Sequence, residues 1–207
     1  MPTRIKNCGL TTPPAIACAI STGANFVGFV HHTASPRHLT AEQIAALYAH
    51  VPADVARVIV LVDPIDEELR TLPPPDFWQI TGVTDPVRIA KIHTKTGIPV
   101  ITAIRVRTAE ALANLAPLEA VSAHLLFDTF HPQDAGGTGH AFDWSLLKNL
   151  LLSKPWFLAG GLNVGNVAEA IRRTHAPMVD VSSGLEDAPG VKSLEKIAAF
   201  NAAVLQP

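Results

Sequence analysis

Two side chains in this sequence have the types and settings needed to move protons: Cys8, in Ile5-Lys-Asn-Cys-Gly9, and Asp128, in His124-Leu-Leu-Phe-Asp128. Each closes a short run with β-type patterning. Side chains alternate along a strand, so Lys6 and Cys8 share one face and Asn7 takes the other; on the second run Leu126 and Asp128 go together. If those faces point inward, a thiol and a carboxyl stand at one end of a sheet. A nearby positive potential would lower the pKa of the thiol and make it a base or nucleophile. A carboxyl beside a thiolate and a bound anion would be raised, and so kept able to donate a proton. Both residues also have a purely structural reading, because cysteine is common in cores and aspartate caps turns.

Two further stretches suit an anion. Trp156-Phe-Leu-Ala runs into Gly160-Gly161, and Met178-Val-Asp-Val runs into Ser182-Ser183-Gly184. In both, an apolar strand stops at small residues that let main-chain N–H groups approach a phosphate, and a stretch able to begin a helix follows. Either turn alone is equally an ordinary strand-to-helix connection; the pair together points to a phosphate cradle. Asp180, two residues before Ser182, can accept hydrogen bonds from a sugar hydroxyl. Arg37, in Ala34-Ser-Pro-Arg-His38, can clamp a carboxylate with two parallel bonds, or simply be solvated. The glycine-rich run Gly136-Gly-Thr-Gly139 suits a loop that closes over a ligand, as it would suit any mobile loop. The nine histidines show no HxxxH or HxH spacing, so no metal site is expected.

These residues need elements to position them, and the chain supplies about eight strand-then-helix units. Strand patterns cover Ile5–Cys8, Phe26–Val30, Val55–Val62, Phe77–Ile80, Pro99–Val106, His124–Phe127 and the two runs above. Helical patterns follow most of them: one capped by Thr11 or Thr12 and led by prolines, one capped by Thr40, one after Asp85-Pro86 and stopped by Gly97, Ala109–Leu115, Trp144–Leu152, and a last one from about Val191 to Val204. Strands alternating with helices imply parallel pairing and right-handed crossovers. No Gly-x-Gly-x-x-Gly follows the first strand, which weighs against an open doubly wound sheet. Polar singletons fall at the C-terminal ends of several different strands, which is where a (β/α)8 barrel collects its chemistry, with phosphate sites after the last two strands. The expected architecture is therefore α/β, one (β/α)8 TIM-barrel domain over residues 1–207.

Composition agrees. Apolar residues make up 48% of the 207 and charged residues 16%, enough for a sizeable core under a lightly charged surface. A formal net charge of −2 without any Lys/Arg run argues against a nucleic-acid partner. No apolar run approaches a membrane span, and the first residues lack the apolar core of a signal peptide. Cys8 and Cys18 form no CxxC, so a cytoplasmic location is expected, with Cys18 as core.

Taken together, Lys6-Asn-Cys-Gly9, Gly28-Phe-Val30, Ser35-Pro-Arg37, Gln79-Ile-Thr-Gly82, Leu126-Phe-Asp128, Gly136-Gly-Thr-Gly139 with Phe142-Asp-Trp144, Ala159-Gly-Gly-Leu-Asn163 and Asp180-Val-Ser-Ser-Gly-Leu-Glu186 occur in the order seen in phosphoribosylanthranilate isomerases of tryptophan biosynthesis. The chain resembles that family over nearly its whole length. The resemblance implies an Amadori rearrangement of a phosphorylated small molecule without cofactor or metal, with Cys8 as general base and Asp128 as general acid. It further implies Arg37 on the substrate carboxylate, the phosphate held around Gly160, Gly161, Ser182, Ser183 and Gly184, and a monomer or homodimer. Two positions depart from the family pattern. Thr81 stands where histidine is usual, and Asn7 where an aliphatic residue is usual, so the Asn7 amide needs partners in the helix-facing layer.

Overall fold

The computed structural model describes residues 2–128, 144–147, 150 and 152–205. The strands are β1 Arg4–Cys8, β2 Phe26–Val30, β3 Ala56–Val62, β4 Phe77–Thr81, β5 Val100–Arg105, β6 His124–Asp128, β7 Phe157–Ala159 and β8 Met178–Val181. Each pairs in parallel with its neighbours in sequence, and β1 pairs with β8, so the sheet closes into the barrel expected from the alternation. The helices are α1 Pro13–Ser21, α2 Ala41–Tyr48, α3 Glu68–Thr71, α4 Pro86–Thr96, α5 Ala116–Val121, α6 Val167–Thr174 and α7 Leu194–Leu205. Among the described residues no helix is long and apolar enough to cross a membrane.

Local chemistry sets the helix ends. In α2 the Thr40 side chain accepts from Gln43 N while the Gln43 side chain accepts from Thr40 N, a reciprocal cap that satisfies two otherwise open donors. Asp85 caps α4, Pro86 opens it, and Gly97 ends it at φ +70°, a backbone that glycine takes without a Cβ penalty.

Three expectations are revised. The pattern over Ala109–Leu115 forms only one 3-10 turn, Ala109–Leu112, and α5 starts afresh at Ala116. A continuous helix would drive the ring of Pro117 into the carbonyl four residues back, whereas proline at a second helical position is tolerated. Of the helix expected over Trp144–Leu152, the described residues show a 3-10 turn, Trp144–Leu147, with Leu150 and Leu152 outside any helix. Before α7 the chain makes a small antiparallel hairpin, β9 Glu186–Ala188 with β10 Val191–Lys192, so the last helix begins at Leu194 rather than Val191. Pro189-Gly190, with Gly190 at φ +83°, turns that hairpin.

Two apolar layers hold the barrel. The outer and larger one packs Ile5, Val27, Phe29, Ile59, Trp78 and Phe127 against the helices. The inner one contains Phe26, Val58, Ile101, Leu126, Phe157 and Met178. At the N-terminal end of the strands the Phe26 ring stands edge-on to Phe157 and Phe77, with centroids 5.2 and 6.0 Å apart, and the Arg4 guanidinium lies over Phe26 at 4.4 Å. That end is plugged.

Asn7 faces outward and is fully buried. Its amide and that of Asn201 on α7 donate to each other at 3.1 Å in both directions. Asn201 donates further to Thr22 Oγ1 at 2.8 Å. The Asn7 amide thus has the partners it needs, and it ties the strand bearing Cys8 to the last helix.

Candidate active site

Parallel register delivers the interior residues of β1 and β8 to one place. Lys6 lies opposite Asp180, and Lys6 Nζ donates to Asp180 Oδ1 at 2.8 Å with the ammonium wholly out of solvent. Burial disfavours the Lys6 charge, but the Asp180 carboxylate and the Cys8 sulfur more than offset it and hold its pKa above the usual lysine range. Cys8, the next inward residue, is 5% exposed. The expected lowering of its pKa is not what the resting site gives: burial pushes the Cys8 thiol up, with Lys6 and Lys192 acting against that rise and Asp180 adding to it.

Beside this pair is a cavity of about 250 Å³ at the C-terminal ends of the strands. Its walls include Gln79 and Thr81 from β4, Asp128 from β6, Asp180 from β8, and the turns Gly160–Gly161 and Ser182–Ser183. Asp128 ends β6 in register with Arg105 and is half-buried, as inward alternation requires. Gln79 is nearly buried, and its Oε1 has no hydrogen-bond partner. An acceptor left open on a cavity wall is available to a ligand donor.

The two small-residue turns touch each other. Gly160 and Gly161 sit at φ +91° and +65°, and no atom would meet a Cβ on Gly161, so its surroundings are open to a ligand. A Cβ on Gly184, by contrast, would run into the carbonyl oxygen of Leu162. Glycine there lets the turn after β8 lie against the turn after β7. The Asn166 side chain accepts from Asn163 N at 2.8 Å and donates to Gly161 O at 3.0 Å, fixing the first turn ahead of α6.

Arg37 and Asp180 are both more committed than the sequence suggests. The Arg37 Nε and Nη2 donate to Glu186 Oε1 and Oε2 at 2.6 and 2.5 Å, and Arg37 is not on the cavity wall. Its stem covers Gly9, where a Cβ would be 2.5 Å from Arg37 Cδ. Lys192 Nζ reaches the same carboxylate at 2.7 Å and Ser182 O at 2.8 Å. Burial alone would raise the Glu186 carboxyl, but Arg37 and Lys192 keep its pKa below the usual carboxylate range. Lys6, Gln79, Glu186 and Lys192 are therefore part of the neighbourhood without having been singled out for a role. Alternation already put Lys6 on the face of Cys8, while Lys192 had no signal without the hairpin. The run Gly136–Gly139 and the Phe142-Asp143 step lie outside the described residues.

Residues 5–203 match the family model described as N-(5'phosphoribosyl)anthranilate (PRA) isomerase. The chain belongs to that family. Among curated isomerases of this name, that of Paracoccus denitrificans (strain Pd 1222) is 45% identical over 213 residues, covering 100% of this chain and 99% of the relative. That of Rhodospirillum centenum is 42% identical, with 97% of each chain covered. Among solved structures, the phosphoribosyl anthranilate isomerase of Thermotoga maritima superposes with a TM-score of 0.85 at 30% identity, covering 98% of both chains. TrpF of Jonesia denitrificans gives 0.82 at 38% identity, covering 98% of this chain and 96% of that one. An isomerase structure in complex with reduced 1-(o-carboxyphenylamino)-1-deoxyribulose 5-phosphate also gives 0.82, at 28% identity and 98% coverage of each chain. The family read from the Cys-Gly, Gln-Ile-Thr-Gly and Asp-Val-Ser-Ser-Gly segments is the one the comparisons show.

Proposed function

We propose that this barrel converts N-(5'-phosphoribosyl)anthranilate to 1-(2-carboxyphenylamino)-1-deoxyribulose 5-phosphate, an Amadori rearrangement in tryptophan biosynthesis. The observation that carries the reading is one cavity at which the Asp128 carboxyl and both small-residue turns meet, beside the β1 strand that bears Cys8. Asp128 protonates the ribose ring oxygen and opens the sugar to a protonated Schiff base. The Cys8 thiolate then takes the proton from the adjacent sugar carbon, and the resulting enolamine tautomerises to the ketone. The amine of the substrate is the electron sink, so the scheme calls on no cofactor or metal.

The phosphate sits among the main-chain N–H groups of Gly160, Gly161, Ser182, Ser183 and Gly184. An anchor that far from the reacting carbons lets binding energy enforce orientation. Asp180 keeps its Oδ2 for a sugar hydroxyl while Oδ1 holds Lys6. Arg37 binds the anthranilate carboxylate from the Nη1 side: a guanidinium carries five N–H donors, so it can serve Glu186 and a second carboxylate together. A base that is a thiol needs a reducing compartment, which supports a cytoplasmic location. Whether the chain is a monomer or a homodimer is read directly by sedimentation.

The test is the fluorescence decay of freshly generated phosphoribosylanthranilate. Rapid decay with the wild-type protein, lost in Cys8→Ala, is the expected result. Wild-type protein that leaves the signal unchanged while binding phosphate compounds would redirect the reading to another sugar phosphate.

A further inference from the structure

A lysine with no solvent exposure is costly to keep charged, and a buried ion pair is weak evidence for stability because a well-packed apolar pair often does as well. Lys6 has no exposure, yet it points into the barrel interior beside the one thiol at the mouth. Asp180 takes one of its three N–H donors. The others have the Cys8 side of the ammonium before them. Lys6 Nζ and Cys8 Sγ converge over Gly28 on β2: a Cβ on that residue would lie 2.8 Å from the sulfur and 3.1 Å from the nitrogen. Glycine is what leaves the space in which thiol and ammonium meet.

We propose that Lys6 is a positioning residue for proton removal: its ammonium, pinned by Asp180, is the counter-ion against which Cys8 Sγ carries negative charge. This rests on the reading of Cys8 as the base. The thiol releases its proton to solvent, leaving a thiolate paired with Lys6. The thiolate then takes the proton of the sugar carbon, the C–H electron pair moves into the enolamine, and the thiol is restored. Lys6 keeps its proton throughout and is balanced by Asp180 alone once the sulfur is neutral again. Among the described residues, Asp180 from β8 and Lys192 from the hairpin are the other ionisable groups facing the sulfur, with Asp128 on the cavity wall. Lys192 already has Glu186 as its partner at 2.7 Å, whereas Lys6 shares its surroundings with the thiol.

Thiolate absorbance near 240 nm tests this in a Cys18→Ser background, where Cys8 is the only thiol. In Lys6→Met the thiolate is expected to form about one pH unit or more higher than in the parent, and the ascending limb of kcat/KM to move with it. A folded Lys6→Met with an unmoved midpoint overturns the proposal. Removing one half of a buried pair can prevent folding, so a second measurement uses the wild-type protein labelled with 15N at lysine side chains. The Lys6 Nζ resonance is expected to shift through the same midpoint as the thiolate absorbance, and Cys8→Ser is expected to abolish that shift. A Lys6 resonance blind to the thiol also overturns the proposal. Failure of the underlying reading has a different signature, namely turnover that survives Cys8→Ala whatever the titrations give.

Discussion

At the N-terminal end of the strands the interior of the barrel is filled by Phe26, Phe77 and Phe157, while at the C-terminal end the inward positions are Lys6, Cys8, Gln79, Asp128 and Asp180. The same alternation along the same eight strands builds both. Aromatic rings packed edge to face remove apolar area from water. Lys6, Cys8, Gln79 and Asp180, buried above that plug, act on one another through a low-dielectric interior, so each perturbs its neighbours more strongly than it would at a surface. On the proposed reading, stability belongs to one end and chemistry to the other.

Substitutions can break that division. The largest effect is expected at the chemical end: Asp128→Asn should lower kcat/KM by about 10²- to 10⁴-fold, the usual contribution of a positioned acid. Its urea midpoint should stay within error of the wild type. A variant that loses stability instead would make Asp128 a structural residue. At the plugged end Phe157→Ala should cost about 3–5 kcal/mol of unfolding free energy, by truncation and cavity formation. The fraction that remains folded should keep its KM. A raised KM with unchanged stability would show that the plug reaches the site.

A smaller, pH-dependent effect sharpens the comparison. His124 stands in the plug, near Phe77 and Phe157, with Nδ1 donating to Pro155 O at 2.8 Å. Burial holds its pKa below the usual histidine value. The unfolded chain, with His near 6.5, therefore binds the proton more readily than the folded one. The stability that His124 contributes is present above about pH 6.5 and is lost as the pH falls through the lower folded value. Urea midpoints at pH 7 and pH 5 should differ less in His124→Gln than in the wild type. Equal differences would show that His124 titrates normally.

Much of this was legible in the sequence, for reasons that differ from residue to residue. Strand alternation alone placed Cys8 beside Lys6 and Asp128 on the inward side, because period two is local. Gly160-Gly161 and Ser182-Ser183-Gly184 were visible because only small residues fit such turns. The Lys6–Asp180 and Arg37–Glu186 pairs were not, since they join residues 174 and 149 positions apart and exist only once register is set. The helix expected over Ala109–Leu115 already stopped short of Pro117; its shrinking to one turn was not legible, because an alanine-rich run favours helix on propensity alone. The Glu186–Lys192 hairpin is too short for any periodicity to announce it, although its Pro189-Gly190 turn is an ordinary turn signal.

The amide pair between Asn7 and Asn201 spans 194 positions, almost the whole chain. Closing a loop of that length early in folding is opposed by chain entropy before any long-range contact can compensate. During synthesis the strand that bears Cys8 leaves the ribosome well before its partners β8 and α7. The enzyme can therefore have most of its barrel assembled and still no working mouth. Activity should appear late and all at once, when the final helix docks against the first strand.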